Sequence, residues 1–241
     1  MLKVCMVLPR TFRGGHRYYV SATGFTAFQA GSCIRQPLHL SRNMPDKTVK
    51  EGIRRRLEKR RRQLSVDEVL RSSRALCARL LALPEVVAAP MIAMYMAFDG
   101  EIDVNCIYSN RKREGKGVLL PRHNRRGHCY ELVEIKDLEA QTRTGYYGIR
   151  EPLRTLPALP AAKQNSADLT WLVPAVAFDP TGHRLGRGGG YYDRLLEHCN
   201  GCKIGVGYDW QIVDNVPVTP RDIGMDLVIT DGRAVDCRLA A

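Results

Sequence analysis

Val49, Ile53 and Leu57 recur four residues apart within residues 47–63. That spacing stacks apolar side chains on one helical face, so this very basic stretch is predicted to be a helix. Ser65-Val-Asp-Glu68 has the form of a capping box. It predicts a second helix running to about Leu83 and stopped by Pro84. Residues 91–97 form an apolar run of strand length; Asp103 then suits the cap of a helix to about Glu114, and residues 117–120 read as a short strand. Residues 129–135 alternate as a strand and lead into a polar loop through Gly145 and Gly148. A connection with two prolines, Pro157 and Pro160, and polar residues covers residues 153–168. Residues 172–178, 203–208 and 227–230 complete the strand set, and a glycine-rich loop with a short helix over about 190–198 lies between the first two of these. Helices alternating with short apolar strands predict a layered α/β domain, and no internal repeat is visible.

Residues 1–43 break this pattern. They contain no Asp or Glu, carry Lys3, Arg10, Arg13, Arg17, Arg35 and Arg42, and show neither helical period nor strand alternation. An organelle transit peptide has that character; so does upstream sequence that is never translated, with Met44 as the start, which is the reading favoured here. Either way the segment is expected to be poorly ordered, leaving residues 44–241 as a single domain. The apolar stretch over residues 80–98 is interrupted by Pro84, Glu85 and Pro90, whereas a membrane span needs roughly 20 apolar residues in succession. Membrane insertion is therefore not expected.

Charge and cysteines narrow the chemistry. A formal net charge of +12 over 241 residues points to an anionic partner. Arg54, Arg55, Arg56, Lys59, Arg60, Arg61 and Arg62 form a dense basic run, but no zinc-finger, RRM or zipper pattern accompanies it, so nucleic acid is not the expected partner. The eight scattered cysteines suit free thiols in a reducing cytosol, and a cytoplasmic location is expected. Cys199-Asn-Gly-Cys202 has no second ligand pair at metal-binding spacing, so it reads as a turn after a helix.

The strongest chemical signal is the segment from Asp179 to Asp193, which follows an apolar strand and leads into a helix. Gly186, Gly188, Gly189 and Gly190 allow close backbone approach to an anion, and the helix start supplies unpaired N–H groups. Arg184 and Arg187 add guanidinium forks, and Asp193 is placed to hold the Mg²⁺ that accompanies a nucleotide. The spacing is neither the Walker nor the dinucleotide pattern. Two arginines, two tyrosines and a carboxylate around the glycines nonetheless favour phosphate binding over a solvated surface loop.

The segment Gly-His-Arg-Leu-Gly-Arg-Gly-Gly-Gly-Tyr-Tyr-Asp ending at Asp193 resembles the signature of 5-formyltetrahydrofolate cyclo-ligases. Lys50-Glu-Gly-Ile-Arg54, Met94-Tyr-Met-Ala-Phe-Asp-Gly-Glu101 and the closing region with Gln211, Pro217 and Asp222-Ile-Gly-Met-Asp226 agree with it in order and spacing. The resemblance covers about residues 46 to 232. It implies a helix–sheet–helix domain with a mostly parallel sheet, of the NagB/RpiA/CoA-transferase-like fold, working as a monomer. It implies ATP- and Mg²⁺-dependent cyclisation of 5-formyltetrahydrofolate to 5,10-methenyltetrahydrofolate through a phosphorylated formyl group, with a polyglutamylated substrate also admissible. By the same resemblance Lys50, Arg54, Arg184, Leu185, Gly186, Arg187, Gly188, Gly189, Gly190, Tyr191 and Tyr192 bind ATP. Met96, Glu101 and the stretch from Arg187 to Tyr191 face the folate, Glu101 accepting hydrogen bonds from the pterin. Arg187 and Tyr191 serve catalysis, and Asp193 and Asp222 hold Mg²⁺. One departure is visible: some family members carry lysine where this chain has Gly189.

Overall fold

The computed structural model describes residues 46–239 except 125, 126, 128, 146 and 147; the basic extension over residues 1–43 lies outside them. Helix α1 (Asp46–Arg62) is followed by α2 (Val66–Leu80), whose capping box is formed: Ser65 Oγ accepts from the Glu68 amide, and Glu68 Oε2 accepts from the Ser65 amide. Pro84 does not merely stop that helix. With its missing N–H at the first position it opens a further turn, α3 (Pro84–Val87). Strand β1 (Met91–Ala93), helix α4 (Asn105–Arg113), and strands β2 (Val118–Asn124) and β3 (Cys129–Ile135) come next. Asp103 lies two residues before α4, and its Oδ1 accepts the Asn105 amide at 2.7 Å.

The segment predicted as polar loop contains α5 (Leu138–Gln141) and the strands β4 (Thr142–Thr144) and β5 (Arg150–Pro152), which pair antiparallel. Helix α6 (Ala161–Gln164) lies in the proline-bearing connection. Strand β6 (Leu169–Pro174) ends at Pro174, and β7 (Ala177–Phe178) instead forms a hairpin with β8 (Arg184–Leu185), so the run predicted as one strand is divided. Helix α7 (Tyr191–Leu196), β9 (Lys203–Gly207), β10 (Leu227–Thr230) and β11 (Ala234–Asp236) complete the chain.

Seven strands form one sheet in the order β11-β10-β9-β6-β1-β2-β3. The five from β10 to β2 are mutually parallel, and β3 and β11 close the two edges antiparallel. Strand periodicity divides the side chains between two cores. Ile92, Leu120, Leu172 and Val206 face α2 and α4 through Leu76, Leu80 and Ile107; Ala93, Leu119, Trp171 and Val173 face the opposite way, toward Leu196 of α7. The sheet is thus mostly parallel and flanked by helices. A third cluster seats Ile53 and Leu57 of α1 on Val176, Ala177 and Leu185, which lays α1 across the β7–β8 hairpin.

One cysteine expectation is corrected. Cys77 on α2 and Cys106 on α4 are joined in a disulfide, with Cα atoms 6.1 Å apart. The two helices pack side by side on one face of the sheet, and a separation of 29 residues leaves no trace of that proximity in the spacing. Cys199 and Cys202 are free thiols in the turn after α7. Burial raises both thiols above their ordinary value, Cys202 to about 11.

Candidate active site

The packing of α1 sets the first side of the site. Because Ile53 and Leu57 are buried, Lys50 and Arg54, one turn apart, face the glycine loop. Lys50 Nζ meets Asp222 Oδ2 at 3.0 Å, and Arg54 Nε donates to the carbonyl of Gly186 at 2.8 Å. The remaining arginines of α1 divide by face. Arg61 is buried, Arg60 lies 4.8 Å over the Trp210 ring, and Arg55, Arg56 and Arg62 are exposed.

The glycine loop joins β8 to α7 and turns through Gly188 at φ 101° and Gly190 at φ 63°, left-handed values that cost a side chain strain. Helix α7 has only six residues, so its dipole adds little, and what the loop offers an anion is its side chains and backbone amides. Arg184 is buried on β8 and reaches Asp193 Oδ1 at 2.5 Å. Asp193 Oδ1 also accepts from the amide of Ile223 at 3.4 Å, which ties it to the neighbour of Asp222. Burial pushes the Asp222 carboxyl up, but the Thr219 amide and Lys50 outweigh it and hold the group below its ordinary value.

Opposite the loop stands the turn carrying Glu101. Asp99 adopts φ 53° there, and the turn is held from three sides: Arg61 donates to the Asp99 carbonyl, Tyr208 Oη to the Gly100 carbonyl and Tyr95 Oη to the Ile102 carbonyl. Glu101 Oε1 receives Arg187 Nη2 at 2.8 Å, and Glu101 Oε2 receives the Phe98 amide at 3.2 Å. Arg187 therefore bridges the glycine loop and the acidic turn, with its guanidinium 5.8 Å from the Phe98 ring centroid. Tyr191 lies 5.0 Å from the Tyr130 ring of β3, giving the cavity an aromatic wall. Burial raises the Tyr192 hydroxyl well above its ordinary range, so it stays a neutral donor.

These parts surround one cavity of about 670 Å³. Lys50, Arg54, Met96, Glu101, Arg184, Leu185, Gly186, Arg187, Gly188, Gly189, Gly190, Tyr191, Tyr192, Asp193 and Asp222 all line it, so the residues assigned to the site from the sequence share one cavity. The sequence reading missed Tyr95, Phe98, Pro121, Tyr130, Glu151 and Thr219, which line it too. Glu151-Pro152 within an otherwise polar loop was the one available hint; the others lie on strands and turns whose orientation only the fold defines.

Asp193 and Asp222 on the cavity lining are oxygen donors whose chemistry suits Mg²⁺. Among the described residues no group of three or more His, Cys, Asp or Glu forms a metal cage. Two adjacent carboxylates, with phosphate oxygens and water completing the shell, are the donor set Mg²⁺ accepts. Among the described residues no helix is long and apolar enough to cross a membrane.

The family model described as the 5-formyltetrahydrofolate cyclo-ligase family matches residues 46–231. The 5-formyltetrahydrofolate cyclo-ligase of Escherichia coli is 30% identical over 185 residues, covering 73% of this chain and 97% of that one. The Mus musculus protein of the same name is 27% identical, with 76% and 93% covered. Among solved structures, the 5,10-methenyltetrahydrofolate synthetase of Aquifex aeolicus superposes with a TM-score of 0.68 at 32% identity, over 79% of this chain and 93% of that one.

Proposed function

The chain belongs to the 5-formyltetrahydrofolate cyclo-ligase family, and on that premise we propose that it converts 5-formyltetrahydrofolate and ATP into 5,10-methenyltetrahydrofolate, ADP and phosphate. One observation carries the reading: the basic groups of α1 and the glycine loop, two adjacent aspartates and the turn bearing Met96 and Glu101 all line one cavity.

The formyl group on N-5 is an amide-like acceptor whose oxygen leaves poorly. Transfer of the γ-phosphoryl group to that oxygen makes it a phosphate leaving group; the adjacent secondary amine of the folate arm then attacks the formyl carbon, loses its proton, and expels phosphate to form the methenyl bridge. Such a transfer asks the protein for position and charge rather than for a nucleophile. Lys50, Arg54, Arg184 and Arg187 provide cations around the phosphates. Mg²⁺, when bound, neutralises phosphate charge, and Asp193 and Asp222 are the groups that would hold it. Both carboxylates carry a cavity cation, Arg184 and Lys50 respectively. A bound nucleotide would offer these cations phosphate oxygens, and Asp193 and Asp222 would then be released to hold the ion. Arg187 spans the two halves through Glu101, and Tyr191 borders the reacting centre.

Purified protein mixed with 5-formyltetrahydrofolate, ATP and Mg²⁺ should raise the near-ultraviolet absorbance of the methenyl product. A trace no steeper than the ATP-free control would overturn the proposal.

A further inference from the structure

The basic run of α1 holds one residue that neither lines the cavity nor faces solvent. Arg61 is 3% exposed, and a guanidinium leaves water only where fixed acceptors replace its hydration. The helical period explains why this arginine and not a neighbour is withdrawn. Arg61 follows Arg54 by close to two turns and Lys50 by about three, so Lys50, Arg54, Leu57 and Arg61 form one stripe. Leu57, between the charges, is buried on the β7–β8 hairpin side with Val176, Ala177 and Leu185. Lys50 and Arg54 reach Asp222 and the Gly186 carbonyl at one end of the stripe. Arg61 stands at the other end, roughly 16 Å farther along the helix than Lys50.

Its acceptors all belong to the acidic turn. Nε donates to the Asp99 carbonyl at 2.9 Å, Nη2 donates to Asp99 Oδ2 at 3.2 Å, and Nη1 stands 3.9 Å from Glu101 Oε1. That oxygen of Glu101 is the one that receives Arg187 Nη2 at 2.8 Å. Glu101 therefore lies between two guanidiniums, one fixed on α1 and one carried by the glycine loop. The turn needs such a hold. Asp99 at φ 53° and Gly100 at φ 71° are both left-handed, a conformation that a residue with a side chain keeps only where its surroundings enforce it. The helix end and the turn also touch through their backbones, since a Cβ on Gly100 would lie 3.3 Å from the Arg61 carbonyl oxygen.

We propose that Arg61 is a positioning residue for Arg187. Through Asp99 and Glu101 it fixes the acidic turn against the glycine loop, so that one rigid helix sets the span between the phosphate side and the folate side of the cavity. The inference rests on the cyclo-ligase reading and extends it to a residue that does not itself line the cavity and reaches the reaction only through the turn.

The test uses the full chain and measures equilibrium binding of 5-formyltetrahydrofolate without ATP, together with steady-state turnover. Arg61→Met keeps an unbranched apolar stem and removes the cation, whereas Arg61→Lys keeps a cation without the fork. Arg61→Met should raise the folate Kd about 10-fold and lower kcat/KM about 10- to 100-fold, the scale of a misplaced group at a reacting centre. Arg61→Lys should recover at least about threefold of that loss; a role in packing alone would favour methionine over lysine. In an Arg187→Met background the further change Arg61→Met should move the folate Kd by less than about twofold, because the group it positions is gone, whereas independent effects would add in full. Asp99→Asn removes the charge that meets Nη2 and retains a residue tolerant of positive φ. It should weaken folate binding in the same direction, and it carries the test should Arg61→Met fail to fold, no change in it then counting against the proposal. Unchanged folate Kd and kcat/KM in folded Arg61→Met, or equal losses with and without Arg187, beside an active wild type, would overturn the assignment alone. Absence of turnover in the wild type itself would sink the cyclo-ligase reading beneath it.

Discussion

At Gly189 the ring of Tyr191 lies where a side chain would begin: an added Cβ would sit 2.7 Å from the ring carbons Cδ2 and Cε2. The lysine that some family members carry at this position would require Tyr191 to move first. This chain therefore couples the glycine to a tyrosine whose ring meets that of Tyr130 at a tilt of 50° and lies 5.0 Å from the Arg194 guanidinium. Gly189→Ala should shift Tyr191 and lower kcat/KM by about 10- to 100-fold, the cost of misplacing a group at a reacting centre. Since residue 189 is exposed, the thermal midpoint should stay within about 2 °C. Steady-state kinetics beside a melting curve check this, and unchanged kinetics would remove Tyr191 from the reacting centre. The spacing of the glycines was legible in the chain. Which of them answers to a ring two residues away was not, because the contact depends on a left-handed turn at Gly188 and Gly190.

Among the elements, α1 and the strand ends carry most of the argument. The four-residue recurrence of Val49, Ile53 and Leu57 predicted the helix, and the same recurrence decides that Lys50 and Arg54 project together on the cavity side. The end of β9 is tied to β10 by Asp209, whose carboxylate accepts from Arg233 Nε at 2.6 Å and Thr230 Oγ1 at 2.8 Å. Burial pushes this carboxyl up, yet Arg233 and Thr230 prevail and hold it below its ordinary value. A folded value below the unfolded one means the contribution is complete above the ordinary carboxylate range and is lost as pH falls through the folded value. Urea unfolding should therefore separate wild type from Asp209→Asn at pH 7, with the gap closing below about pH 4. A gap that widens on acidification would contradict the direction of the shift. Strand ends were the least legible elements. Residues 91–97 share one apolar run, but β1 stops at Ala93 because the chain must leave the sheet to place the turn that holds Glu101.

On the scale of the whole molecule, the Cys77–Cys106 link encloses 29 residues of separation that include β1 and the Glu101 turn. Closing a loop of that size in the unfolded chain is worth roughly 3–4 kcal/mol. Reductant should lower the urea midpoint of the wild type to that of Cys77→Ala and leave the variant unmoved. Equal midpoints with and without reductant would mean that the two sulfurs are not joined in solution. By itself the sequence determined the helix faces, the capping box, the apolar strands of a layered α/β domain and the spacing of glycines and arginines in the loop before α7, because each depends on neighbours within a few positions. Only the tertiary structure decided that β7 leaves the main sheet, that Arg187 reaches Glu101 across 86 positions, that Cys77 meets Cys106, and that Arg61 meets Asp99 across 38. Those outcomes follow from the order in which parallel strands assemble and from which helix covers which face, and no local pattern of residues encodes a distance between segments far apart in the chain.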